Sequence, residues 1–185
     1  MKKMFFLAML SAIASSHSVQ GVENMNKPNY NYGYQKYGKE SLDSIQGNGT
    51  VLLEGTKVSG LVQVNGSLKA EESAMNSLQV NGQTDLHNCV VTNTAILNGS
   101  LNADNTKFQN GLLVASQKIV LRMCTVDSLT IREVSGYTGK QVVDLRSGTN
   151  VTGPIVVESG NGEIWISSNS EISEAQVSGA QVYRK

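Results

Sequence analysis

QVNGSL at residues 63–68 returns as QVNGQT at residues 79–84, and the Asn-Gly pair inside both stands also at 48–49 and 98–99. The steps between the four pairs are 17, 16 and 17 residues. Asn and Gly both tolerate positive φ, so a pair that recurs at a fixed interval marks one corner per repeat. Working outward, Ile45, Val62, Leu78, Ala95, Leu112 and Leu129 keep the same spacing. Two residues after them stand Gly47, Val64, Val80, Leu97, Val114 and Ile131. Numbered from those first members, position 7 holds Val51, Leu68, Thr84, Leu101 and Lys118. Position 9 holds Leu53, Ala70, Leu86, Ala103 and Val120. Position 14 holds Val58, Met75, Val91, Phe108 and Thr125, with Val126 as the substitute in the last unit. Alternation with a period of two on either side of a corner is the pattern of short strands with one buried face.

The expected fold is all-β: a single-stranded parallel β-helix, or β-solenoid, with right-handed winding, about 17 residues per coil and about eight coils. Asn48-Gly49, Asn65-Gly66, Asn81-Gly82 and Asn98-Gly99 are its repeated corner turns. The regular part covers about residues 45–135. VSGYTGKQ (134–141) reads as an inserted loop, after which strands resume at QVVDL, PIVVE and EIWIS. The solenoid domain is expected to span 45–185, with irregular terminal coils that cap exposed edges.

Segments such as VSGLVQVNGSLKAEESAMNSLQVNG (58–82) and TAILNGSLNADNTKF (94–108) resemble bactofilins, the bacterial polymer-forming cytoskeletal proteins. The resemblance lies in the repeat rhythm over about residues 45–131. It implies a right-handed β-helix that polymerises end to end. Bactofilins work on the cytoplasmic side of the membrane, and here the start of the chain departs from that pattern. Lys2 and Lys3, the apolar run MFFLAMLSAI (4–13) and the small polar residues after it describe a secretory signal peptide over 1–18, cleaved between 16 and 21. The run is too short to span a bilayer, so membrane contact is expected only during export. The mature protein is expected in the periplasm or outside the cell.

Lys and Arg together number 15, as do Asp and Glu. Removing Lys2 and Lys3 leaves 13 basic against 15 acidic residues, a balance that offers nothing to nucleic acid. Catalysis finds little to work with. Nucleophilic triads need a histidine, and beyond His17 only His87 is present, with Asp85 on the same side of its strand. Asp85, Asp104 and Asp127 occupy positions 8, 10 and 16 and do not stack into the carboxylate cluster of a polysaccharide-active β-helix. No Cys/His spacing suits zinc and no Gly/Asp nonapeptide suits calcium, so no catalytic residue, metal or cofactor is expected.

Cys89 and Cys124 are two coils apart, about 9.6 Å at one strand spacing per coil, beyond the reach of a disulfide. They fall at positions 12 and 13, which should point apart, and free thiols follow. Residues 19–44 form a Tyr/Asn-rich leader or N-terminal cap. Its Tyr30, Tyr32, Tyr34 and Tyr37 are candidates for contact with a glycan or other partner, or for an added edge strand. Trp165, between Ile164 and Ile166, should face outward and is assigned no ligand. The leading expectation is an exported, non-enzymatic structural or interaction protein that self-associates through its end coils. The alternatives are a glycan- or surface-binding protein using the leader tyrosines and, third, a small polysaccharide-active enzyme.

Overall fold

The computed structural model describes residues 30–185, with side chains from residue 33 onward. Residues 1–18, expected to be a signal peptide, and the start of the expected leader lie outside the described residues. The chain winds into a parallel β-solenoid of about nine turns with about 17 residues per turn. Three strands per coil stack on their counterparts, giving three parallel faces. The first face runs through Ile45, Val62, Leu78, Ala95, Leu112, Leu129, Ile155 and Val177, which pair successively in register. The second runs through Val51, Leu68, Thr84, Leu101, Ile119, Val143, Ile164 and Val182. The third, built of short strands, runs through Leu42, Val58, Met75, Val91, Phe108, Val126, Val151 and Ile172. These columns meet in one continuous apolar core. Among the described residues the only helical element is the 3-10 turn Glu174–Gln176.

The Asn-Gly corners have a steric cause. Gly49, Gly66, Gly82 and Gly99 have φ between 129° and 141°. A Cβ on Gly82 would stand 1.9 Å from the carbonyl oxygen of Gly66, so at this corner successive backbones approach too closely for any side chain. The asparagines beside them stack as an amide ladder. Asn65 Nδ2 donates to Asn48 Oδ1 at 3.0 Å, Asn81 to Asn65 at 2.8 Å and Asn98 to Asn81 at 2.6 Å. The Arg132 guanidinium reaches over Ala115 and donates to Asn98 Oδ1, closing the ladder. The column of corners begins one coil before Asn48: Gly33 pairs with Gly49, and the whole strand Tyr30–Tyr37 lies parallel against Gln46–Leu53. The tyrosine-rich stretch therefore contributes the first coil described.

Three expectations need correction. In the coil that begins at Leu112, Ile119 and Leu121 are the buried residues of the second face, while Lys118 and Val120 point outward. The corner there, Ala115-Ser116-Gln117, carries one more residue than the Asn-Gly corners, which shifts all that follows by one. Val126 takes the core place for the same reason. The inserted loop ends at Lys140 rather than Gln141. Gln141 is the buried first residue of strand Gln141–Arg146, and its Nε2 donates to the carbonyls of Ser116 and Arg132. The insertion thus occupies the corner column, where Gln141 fills the space left by the absent Asn-Gly pair.

The third correction concerns Cys124. The same one-residue shift moves it into the column of Cys89, so the two thiols face alike. They remain free and buried, with Thr106 between them, and the separation of two coils alone prevents a bridge. Their column is Thr56, Ser73, Cys89, Thr106, Cys124, Thr149 and Ser170, just inside the second corner. The Thr56 amide donates to Ser73 Oγ, Cys89 to Thr106 Oγ1, Cys124 to Thr149 Oγ1 and Thr149 to Ser170 Oγ. The amides of Ser73 and Thr106 bond the Cys89 and Cys124 sulfurs in the same manner. Each hydroxyl or thiol also donates to a main-chain carbonyl, as Ser73 does to Glu71 and Thr106 to Asp104. Buried backbone donors at a turn need partners, and this column supplies one per coil.

Candidate functional site at the ends of the solenoid

An isolated solenoid leaves two strand edges unpaired, and the residues there decide what it can join. At the N-terminal end, Gln35 stands in the second-face column, which otherwise carries aliphatic residues except for Thr84, and it is buried. Tyr37 is half-buried on the core and its hydroxyl donates to Gln35 Oε1 at 2.9 Å. Thr56 Oγ1 donates to the Gly38 carbonyl at 2.7 Å, fastening the first coil to the second. Tyr34 is 65% exposed at the corner, so Tyr34 and Tyr37 point to different sides of the strand. Tyr30 and Tyr32 pair with Gln46 and Asn48 through the backbone.

The C-terminal end is built differently. Strand Ala180–Arg184 pairs with Gly162–Ile166 on one side, and among the described residues nothing pairs with its other edge. Ile172, Val177, Ala180 and Val182 pack on the core from this last coil yet remain partly exposed. They follow Val151, Ile155, Gly162 and Ile164 in their columns, so the apolar interior reaches the end face. Arg184 follows Ile166 in what had been a core column, but its guanidinium turns outward to Glu174 Oε1 at 2.6 Å. Tyr183 and Trp165 stack on the outward side of the second face, with ring centroids 4.6 Å apart. Lys185 lies over the Trp165 ring and binds Asp144 Oδ1 at 3.0 Å. Burial works to raise the Asp144 pKa, but hydrogen bonds from Arg146 and Lys185 outweigh it and hold the carboxyl below its ordinary value.

The polar residues singled out for chemistry are dispersed. His87 is exposed, one coil away from Asp104 in the same outward column. Asp104 pairs with Arg122 at 3.1 Å, Asp85 accepts from Asn102 at 2.8 Å, and Asp127 is exposed at a corner. Glu71 is held by Lys69 at 2.9 Å, and the bond from that ammonium keeps its carboxyl below the usual range. Among the described residues no group of three His, Cys, Asp or Glu side chains converges as a metal site would require. The hydroxyl–thiol column and the open C-terminal coil escaped the sequence reading. The first was visible as Thr56, Ser73, Cys89 and Thr106 at steps of 17, 16 and 17. No family model matches the chain, and comparison with curated proteins and with solved structures finds no significant match.

Proposed function

We propose that this protein is an exported, non-enzymatic β-solenoid that associates with itself through its C-terminal coil. The observation that carries the reading is the end face: an edge strand, Ala180–Arg184, with no partner among the described residues, over a core whose last side chains are partly exposed. Exposed apolar surface and unmatched main-chain donors and acceptors favour addition of another strand. The same surface meeting itself gives a closed dimer, because an isologous contact uses up both copies of the edge. The repeat rhythm shared with bactofilins supports association as the role, and the basic, apolar and small-residue pattern of residues 1–18 supports export. Light scattering on the protein without its signal segment tests the assembly. The expected mass is twice that of the chain, falling to the single-chain value in Val182→Glu, which places a charge on the end face. A single-chain mass for the unaltered protein at all concentrations would remove the proposal.

A further inference from the structure

The outward column of the second face changes character along the solenoid. It runs Lys36, Leu52, Lys69, Asp85, Asn102, Val120, Asp144, Trp165 and Tyr183, one residue per coil. The aromatic residues come last, and their rings stack at 4.6 Å with 17° between planes. That spacing is the strand spacing of a β-sheet, so the backbone ladder itself holds the rings parallel. Their polar edges are tied down on one side. Trp165 Nε1 donates to Glu163 Oε2 at 3.3 Å and Tyr183 Oη donates to Gln181 Oε1 at 2.6 Å. Trp165 covers one face of Tyr183, and the other looks past the last described strand.

Beside this shelf lies a cleft of about 280 Å³, lined by Lys140, Asn161, Gln181, the turn glycines Gly160 and Gly179 and the strand residue Gly162. Gln181 belongs to both features, joining the cleft to the ring. A Cβ on Gly160 would meet nothing within 4 Å, so this turn stays low beside the opening. Lys140 is paired with Glu163, and Lys185 with Asp144. The cations are thus already neutralised, and the shelf offers a flat apolar ring with planar amides and a carboxylate around it.

We propose that Tyr183, Trp165 and the adjoining cleft bind a neutral saccharide. A pyranose presents an apolar C–H face that stacks on an aromatic ring and a rim of hydroxyls that need both donors and acceptors. Tyr183 offers the ring, while Gln181 and Asn161 offer both kinds of hydrogen-bonding group. The cleft volume is near the lower bound of small-molecule sites and suits one or two sugar rings. A nucleobase would also stack, but the strand that carries it needs unpaired basic residues along a groove, and here Lys140 and Lys185 are engaged.

Trp165 is the only tryptophan in the chain, so its emission reports on this shelf alone. The full protein is titrated with cellohexaose and, separately, with the tetramer of N-acetylglucosamine. Light scattering in the same cell keeps the protein at a concentration where only single chains are present, which separates saccharide binding from self-association. A saturable emission change with at least one of the two is expected. Tyr183→Ala should weaken that binding at least tenfold, Tyr183→Phe should keep most of it, and Tyr34→Ala should leave it unchanged. No saturable change with either saccharide overturns the proposal. Unaltered binding in Tyr183→Ala overturns it too, and loss in Tyr34→Ala alone would move the site to the first coil.

Discussion

The coils from Ile45 to Ile131 and those from Arg132 onward share one core but hold their register by different means. In the first region the same small groups repeat at four successive corners, Asn48-Gly49 to Asn98-Gly99, and those coils are joined through identical partners: amide to amide, glycine against glycine. In the second, the corner has been opened by the loop before Gln141, and single contacts between unlike residues replace the ladder. Gln141 reaches Ser116 and Arg132, Lys140 reaches Glu163, Asp144 collects Arg146 and Lys185, and Trp165 stacks on Tyr183. The comparison teaches that repetition and individuality are alternative ways of fixing a solenoid. The glycine of a repeated corner has no room for a side chain, and the irregular region keeps one such place at Gly179 while its second face carries an aromatic shelf and ends in an open edge. Function is expected where the repetition stops.

The largest effect that would break this contrast comes from a methyl group at a corner. Gly82→Ala puts a Cβ 1.9 Å from the Gly66 carbonyl oxygen at a φ of 141°, in the middle of the stacked column. A loss of about 3 kcal/mol or more is expected in urea unfolding, since backbone must move on both coils. Gly160→Ala in the irregular region has a φ of 68° and open space around the new atom, and should cost only about 1 kcal/mol. Equal costs at the two sites would show that close stacking does not govern the repeated corner.

Intermediate effects come from the inner polar column. Thr106→Val removes the acceptor for the Cys89 amide and leaves that buried donor unmatched, for about 2 kcal/mol of destabilisation. Thr84→Val should act in the opposite sense. Thr84 is buried in the core column between Leu68 and Leu101, and its hydroxyl has no partner. Replacing the hydroxyl by a methyl is expected to stabilise by about 1 kcal/mol, read in the same unfolding experiment. Destabilisation by Thr84→Val would mean that the hydroxyl is satisfied in solution.

The effect that vanishes at neutral pH is a pH dependence. Burial raises the pKa of both thiols, that of Cys124 to about 11 from an ordinary value of 9.0. A thiol that stays protonated only in the folded chain gives stability that is fully present below pH 9.0 and is lost as pH rises to about 11. Cys124→Thr, which keeps a hydrogen-bonding group in the column, should flatten that part of the unfolding profile. Thiol titration of denatured, unreduced protein should find both cysteines free.

The repeated region was legible from sequence because its corners demand one chemistry. The glycine that recurs at steps of 16 and 17 cannot be traded for another residue without strain, so the pattern survives on the page. Cys124 and Ile119 were misplaced because one extra residue at Ala115-Ser116-Gln117 is absorbed by a wider turn that leaves no trace in hydrophobicity. The hydroxyl–thiol column was hidden by its own tolerance, since Thr, Ser and Cys all accept an amide hydrogen and no one of them holds the position throughout. The first coil was obscured by its tyrosines, although Gly33 precedes Gly49 by 16 residues. Partnerships across the insertion, such as Cys124 with Thr149, span 25 residues and obey no period that could be counted.

The two ends offer the most direct test of self-association. Hydrogen exchange on residues 19–185, at a series of concentrations, should show amides of residues 180–184 becoming slower as concentration rises. Amides of residues 45–131 should stay unchanged across the series. Exchange at 180–184 that is independent of concentration, or protection that appears instead at Tyr30–Tyr37, would contradict association through the C-terminal coil.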